Sequence, residues 1–244
     1  MTSIENKTVR EIAIENPATV RIFESLGIDY CCGGRRSLGE ACDRARVSLP
    51  QALELIAKAD PRNGSTEKDH WADASLADLI RQIVNRHHSF VRQEVARLEA
   101  LCQKVVGRHG EAHPELASIQ ALFGALGQEL FAHMMKEEHI LFPYLERMEA
   151  AVPNNEPFPA SCFGTIQMPI ARMLADHDDA GELTAKIRSL ANDFLAPEGA
   201  CPSYLGLFHG LEEFERDLHR HIHLENNILF PRAVEMERGR QEAT

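Results

Sequence analysis

The sequence predicts an all-α protein, with a small helical N-terminal domain followed by an antiparallel four-helix bundle. Two observations predict it. Apolar residues recur in steps of three and four along four long segments, with no β-type alternation to compete. Loops rich in Pro and Asn separate the later segments, and four such stripes suit a bundle with its apolar sides inward. We place the N-terminal domain at 1–60, a linker at 61–74 and the bundle at 75–244.

The N-terminal domain contains residues that typically begin and end short helices. Thr8 suits the N-cap of a first helix, Pro17 can open a second and Gly27 can end it. Gly33-Gly34 marks a tight turn, and a further helix is expected around residues 52–56.

The bundle helices are expected at about 76–106, 116–141, 170–194 and 207–229. The second and fourth have the clearest stripes, because their apolar residues keep to steps of three and four throughout. Inward side chains of such bundles are where metal sites are built.

Composition excludes several classes of function. A formal net charge of −11 argues against binding to a nucleic-acid backbone, which needs clustered Lys and Arg. The sequence has neither a membrane span nor a secretory leader, so we expect a cytoplasmic protein. The 6 cysteines form no C-x-x-C pair and are expected to be reduced.

Two segments of the bundle are near copies. His133 and Glu137 precede Leu-Phe-Pro, and His221 and Glu225 precede the same tripeptide at the same offset. A His and a Glu four residues apart lie one helical turn apart on one face, within reach of one cation. A lone His on an apolar face is more often a hydrogen-bonded core residue. Here the same His–Glu pair recurs on the apolar stripes of two helices, and chance would have to explain both the repeat and the burial. The repeat therefore predicts a metal site.

The other two helices each offer an inward His. His177 lies on the apolar stripe of the third helix. On the first helix, His87 and His88 both lie near the apolar face, and periodicity does not choose between them. The spacing slightly favours His88, which is 45 residues before His133, as His177 is 44 before His221.

Four imidazoles and two carboxylates suit iron, zinc or manganese. Two cations bridged by the carboxylates would use every ligand. We favour iron, because the set leaves room for an exogenous ligand, while zinc stays open on ligand chemistry alone. Glu129 and Asp176 are placed to hydrogen-bond a ligand imidazole, although an ordinary polar surface explains them as well.

The paired His-x-x-x-Glu motifs with Leu-Phe-Pro resemble the hemerythrin-like di-iron bundle. The segment Ile28-Asp-Tyr-Cys-Cys-Gly-Gly34 resembles the ScdA-type domain of the iron–sulfur cluster repair family, as do the motifs around residues 133, 177 and 221. The resemblance covers nearly the whole chain and implies a hemerythrin-like fold for the bundle. It also implies a non-haem, carboxylate-bridged centre of two iron ions. The ligands that the resemblance implies are His88, His133, Glu137, His177, His221 and Glu225.

The resemblance implies repair of iron–sulfur clusters damaged by nitric oxide or oxidants, with the supply or handling of iron as the expected means. The partners would be proteins with damaged clusters, and nitric oxide or dioxygen would be small ligands. Two alternatives stay open, a di-iron enzyme that reacts with nitric oxide or dioxygen and an oxygen-binding or oxygen-sensing protein. Whether the chain is an enzyme, and whether it forms a homodimer, is left open.

Cys31 and Cys32 are the candidate reactive residues of the N-terminal domain. Adjacent cysteines do not readily close a relaxed disulfide, but they can present two thiolates to a soft metal. Arg35 and Arg36 are expected to favour the thiolate form. Simple packing of a small domain explains the pair equally well from sequence, and the family resemblance favours function.

Overall fold

The computed structural model describes residues 4–59, 71–154 and 156–242, and their regular structure is helical, as predicted. The chain divides into two compact units, 1–79 with 219–244, and 80–218. Most of the predicted linker at 61–74 lies outside the described residues, which resume at Trp71. The domain boundaries drawn from the sequence stay a prediction.

Four short helices form the N-terminal part of the first unit. They are α1 (Val9–Glu15), α2 (Thr19–Leu26), α3 (Leu38–Ala45) and α4 (Leu49–Lys58). Their apolar sides meet in one core that includes Val9, Phe23, Ile28, Tyr30 and Leu38, all buried.

Local signals fix where these helices begin and end. Thr8 caps α1 through a capping box with Glu11, and Gly27 ends α2 at a φ of 64°, as predicted. Helix α3 was not predicted, although its start carries the same signal. Ser37 and Glu40 form a second capping box.

Further helices follow along the rest of the chain. They are α5 (Leu76–Gln82), α6 (Ser89–His109), α7 (Glu115–Lys136), α8 (Phe142–Ala151), α9 (Gln167–Leu190), α10 (Pro202–Leu224) and α11 (Phe230–Glu242). Within the second unit, α7 packs along both α6 and α9. Phe214 of α10 stacks on Phe90 and meets the edge of Phe123. The all-α bundle predicted from the apolar stripes is confirmed.

Three of the four helices that carry the predicted ligands contain a π-helical turn, at Ile83–His88, Glu137–Leu141 and Glu225–Leu229, whereas α9, which carries His177, is α-helical throughout. In the last two, a glutamate carbonyl accepts a hydrogen bond from the N–H five residues on. Pro143 and Pro231 explain both turns, because proline has no N–H and its ring clashes with the carbonyl four residues earlier. The apolar stripes predict these helices but not the π turns within them, and π turns are frequent at functional sites.

Helix α9 ends earlier than the apolar pattern predicted. It stops at Leu190, and Asn192, Asp193 and Phe194 have φ values of 50°, 55° and 60°. This left-handed backbone cannot continue an α-helix. In the part of the chain that the structure describes, no helix is both long enough and apolar enough to cross a bilayer.

Candidate metal centre

Glu137 is the centre of a buried group of side chains in the second unit. It lies at the first position of its π turn, one turn beyond His133 on the buried stripe of α7. Its side chain is 0% exposed. Its Oε2 is 3.2 Å from Nε2 of His133 and 3.4 Å from Nε2 of His88.

His177, from the buried side of α9, completes this group. Its Nε2 lies 3.0 Å from Nε2 of His133. The structure therefore brings together four of the six predicted ligands, His88, His133, Glu137 and His177, and buries all of them. They come from three separate helices, which fixes their positions by packing.

The other two predicted ligands repeat the pair on α7. His221 is on α10, and Glu225 opens the following π turn. Nε2 of His221 is 3.0 Å from Oε1 of Glu225, and the two side chains are 1% and 0% exposed. This pair belongs to residues 219–244, which are counted with the first unit.

Carboxylates hold the outer nitrogens of two of the imidazoles. His88 Nδ1 donates to Glu138 at 2.6 Å, and His133 Nδ1 lies 3.4 Å from Asp176. A carboxylate at Nδ1 selects the tautomer whose Nε2 carries a lone pair, which is the form that binds a metal. The outer contacts thus prepare both Nε2 atoms as ligands.

The two outer carboxylates are held by cations. Burial opposes ionisation of Glu138, but hydrogen bonds from His88 and Arg92 outweigh it and lower its pKa. Burial likewise opposes ionisation of Asp176, whose pKa is lowered by hydrogen bonds from Lys136 and His133. Both groups therefore stay anionic and keep accepting from the imidazoles.

The donor set fits a metal cation. Two Nε2 lone pairs lie against the Glu137 carboxylate, and a third imidazole nitrogen adjoins one of them. Lone pairs and a buried anion repel each other, and burying such a group without compensation is costly. A cation removes the repulsion, and imidazole with carboxylate suits iron, zinc and manganese.

His87 and His88 have different surroundings. His87 Nδ1 is 3.0 Å from Oδ2 of Asp217, while His88 adjoins Glu137. The geometry therefore associates His88, and not its neighbour, with the buried group, a choice that periodicity left open.

The Cys pair sits in a turn organised by Asp29. One carboxylate oxygen accepts from the backbone N–H groups of Cys31 and Cys32, at 3.1 and 3.0 Å, and the other accepts from Gly33 at 2.8 Å. Cys31 Sγ lies 3.8 Å from Cys32 Sγ, so the two thiols form no disulfide here. A hydrogen bond with Cys32 and burial raise the pKa of Cys31, so the expectation that the arginines make it a thiolate is wrong for this residue.

Gly33 and Gly34 lie so close to neighbouring atoms that a side chain at either position would collide with them. A Cβ on Gly33 would lie 2.7 Å from the Asp29 carboxylate. A Cβ on Gly34 would lie 2.7 Å from the carbonyl oxygen of Tyr30 and 3.2 Å from Oδ1 of Asn227. The Cys-Cys-Gly-Gly motif is therefore a compact turn with no room for further side chains.

Two protein-family models match this chain, one in its N-terminal part and one in the rest. Residues 79–233 match the hemerythrin HHE cation binding domain, and residues 5–60 match the ScdA N-terminal domain, described as a domain of unknown function (DUF542). The "Iron-sulfur cluster repair protein YtfE" of Edwardsiella ictaluri is 36% identical, over 94% of this chain and 97% of that protein. The protein of that name from Pectobacterium atrosepticum is 34% identical over the same shares.

This chain belongs to the iron–sulfur cluster repair family. The hemerythrin match includes all six predicted ligands, and the shorter match includes Cys31 and Cys32. Membership agrees with the resemblance seen in the sequence and establishes a cation-binding bundle in this repair-family chain.

Some neighbours of the site in this family member were not foreseen. Glu138 and Asp217 hold the two adjacent histidines, and neither stood out in the sequence. His223 is 7% exposed and packs against Tyr30. Burial lowers its pKa to about 4, so its neutral ring accepts from Asn227. Of the two suggested outer partners, Asp176 contacts a ligand imidazole and Glu129 is exposed.

Proposed function

We propose that this chain holds two non-haem iron ions and repairs iron–sulfur clusters damaged by nitric oxide or oxidants, by supplying or handling iron. The proposal rests on one observation: His133 at the end of α7 and Glu137 in the following π turn form a buried pair with His88 and His177 beside it, and the pair is repeated as His221 and Glu225. The names of its relatives, iron–sulfur cluster repair proteins, support the proposed activity.

Six ligands with two bridging carboxylates match the stoichiometry of carboxylate-rich helix-bundle sites, about two metal ions. When bound, iron would supply a redox couple and coordination positions for nitric oxide or dioxygen. Glu137 and Glu225 would hold the iron as carboxylate ligands, and the imidazoles of His88 and His133 would be held in turn by Glu138 and Asp176. Packing on helices keeps these side chains in place before the metal binds.

Cys31 and Cys32 are proposed as the residues that exchange iron or a cluster fragment with the damaged partner. Their support is the compact turn around Asp29, which holds both thiols in one place. We propose that the chain acts in the cytoplasm, where such thiols stay reduced. Its partners would then be proteins whose iron–sulfur clusters are damaged.

Metal content tests the centre. Protein prepared with iron available should contain about two irons per chain and show iron-dependent visible absorbance. Glu137→Ala and Glu225→Ala should each lose iron, because each removes a shared bridge. Glu129→Ala, an exposed position on the same helix as His133, is the matched control and should retain it. One zinc per chain, with no iron-dependent absorbance, would contradict the proposal.

Repair tests the activity. A cluster enzyme inactivated by nitric oxide should recover with the full chain and recover poorly with the Cys31→Ser Cys32→Ser variant, whose iron absorbance should be intact. Full recovery with that variant, in the absence of added thiol, would show that the pair is structural. Steady consumption of nitric oxide would favour a gas-reactive enzyme instead, and reversible oxygen binding without iron loss would favour an oxygen-binding protein.

A further inference from the structure

The turn at Asp29 brings three metal-ligating side chains together in the N-terminal part of the first unit. The ligand atoms of Asp29, Cys31 and Cys32 all lie within 4.8 Å of one another. We propose that these three residues form a second metal site, which binds one divalent cation of the Zn(II) or Fe(II) class and leaves a fourth position open.

The spacing of the donor atoms fits tetrahedral coordination. Metal–sulfur bonds of about 2.3 Å at tetrahedral angles place two sulfur ligands about 3.8 Å apart. The Cys31 and Cys32 sulfurs are 3.8 Å apart. A metal–oxygen bond of about 2.0–2.2 Å places the oxygen about 3.5–3.7 Å from each sulfur. Asp29 Oδ1 is 3.5 Å from Cys31 Sγ. Two of the three spacings therefore match a tetrahedral site, and the third, between Asp29 and Cys32, is at most 4.8 Å.

The backbone holds the oxygen ligand in place. Three N–H groups of the turn donate to the Asp29 carboxylate, which fixes its orientation towards the thiols. Gly33 allows this approach, since a Cβ there would collide with the carboxylate. Preorganised ligands lower the cost of binding. Cys31 is buried and Cys32 is only half-buried, which allows an ion to enter from solvent.

The charge balance is favourable. Binding releases the two thiol protons to solvent, since thiolates are the form that ligates metals. Two thiolates and one carboxylate around a dication leave one net negative charge. Arg36 Nη1 lies 3.9 Å from Asp29 Oδ2, near enough to offset it. Thiolate ligands favour zinc or iron over magnesium or calcium, which prefer oxygen.

The binding stands on this geometry alone, and its use as the transfer point for iron rests on the proposed repair function. An open fourth position allows a donor or acceptor ligand to join before the ion leaves, which suits passing a metal on. A structural zinc site, by contrast, is closed by four protein ligands.

Cobalt(II) titration tests the site in the full chain. Iron-loaded, reduced protein should bind one additional cobalt with a thiolate-to-metal charge-transfer band in the near ultraviolet. The His and Glu ligands of the buried centre contain no sulfur and cannot give this band. Cys31→Ser and Cys32→Ser should each lose the band, while Cys162→Ser, which removes an exposed thiol elsewhere, should keep it.

Asp29→Asn tests the oxygen ligand while keeping two of the three backbone hydrogen bonds of the turn. The amide oxygen can still accept from the N–H groups of Cys31 and Cys32, although the amide nitrogen cannot accept from Gly33, and a neutral amide is a weaker metal ligand. Cobalt affinity should fall at least as much as the roughly 10–100-fold typical for losing an outer hydrogen bond to a metal ligand. Circular dichroism checks that each variant is folded. A band that persists in the Cys31→Ser Cys32→Ser variant, an unchanged affinity in Asp29→Asn, or no band in the parent chain would each overturn the proposal. Iron content is measured in the same samples, so loss of the buried centre is scored separately.

Discussion

Asn227 donates a hydrogen bond from its side-chain amide to the backbone carbonyl of Tyr30, over 3.0 Å. The same amide lies 2.9 Å from Nδ1 of His223. Asn227 is two residues beyond Glu225, and Tyr30 directly precedes Cys31. One buried amide therefore joins the turn that carries a proposed iron ligand to the turn that carries the thiols, all within the first unit.

Asn227→Leu should destabilise the protein, because it leaves the Tyr30 carbonyl and the His223 nitrogen buried without this donor. Loss of a buried partner costs about 1–3 kcal/mol per group. Urea unfolding of the full chain measures the effect. Asn85→Leu, at an exposed position, is the control and should change the free energy of unfolding by less than about 0.5 kcal/mol. Equal stabilities of the two variants would mean that the amide contributes no net stabilisation.

Asp176→Asn should weaken iron binding without removing a ligand. The neutral amide is a poorer acceptor for the His133 imidazole, which would then lose its fixed tautomer. Outer partners of this kind are worth roughly 10–100-fold in metal affinity. Competition with a chelator, followed by visible absorbance, measures the change. Asp178→Asn, on the exposed side of the same helix, should bind iron like the parent. If the two variants hold iron equally tightly, Asp176 does not support the centre.

Much of the fold and of the ligand set could be predicted from sequence, because both depend on local periodicity. The stripe that buries Phe123, Leu126 and Leu130 also buries His133 and Glu137. A helix-capping signal such as Thr8 with Glu11 is likewise complete within four residues.

What escaped prediction depends on contacts between distant parts of the chain. Asn227 and Tyr30 are 197 residues apart in sequence, and His87 and Asp217 are 130 apart. His109 also contacts a distant residue, since its Nε2 is 3.2 Å from the sulfur of Cys201. The π turns before Pro143 and Pro231 are a different case, because their cause is local and visible in the sequence, whereas no proline follows the turn at Ile83–His88.

Two glycines of α7 should respond in opposite ways to alanine. A Cβ on Gly127 would lie 2.8 Å from Cγ1 of Val95, a stiff β-branched side chain on α6. A Cβ on Gly124 would meet Glu99 only at 3.9 Å. Gly127→Ala should therefore cost about 1–3 kcal/mol through overpacking, while Gly124→Ala should add up to about 1 kcal/mol of helix propensity.

Thermal and urea unfolding of both glycine variants measure this difference in sign. Each variant serves as the control for the other, because the two positions are one turn apart on the same helix and both change from glycine to alanine. Stabilisation of both variants would show that α6 can move away from α7 at little cost, and that the ligand-bearing helices are less tightly fixed than their packing indicates.

Removal of iron should lower the melting temperature of the full chain. The empty centre leaves buried carboxylates beside imidazole nitrogens, and a ligand that binds only the folded state adds about 2.7 kcal/mol when present at 100 times its Kd. For a domain of this size that corresponds to a shift of roughly 5–10 °C. Calorimetry before and after complete chelation gives the value. The Glu137→Ala Glu225→Ala variant, which should hold no iron, is the control and should melt at the same temperature with and without chelator. An unchanged melt of the parent chain after verified loss of iron would show that the centre does not contribute to the stability of the bundle.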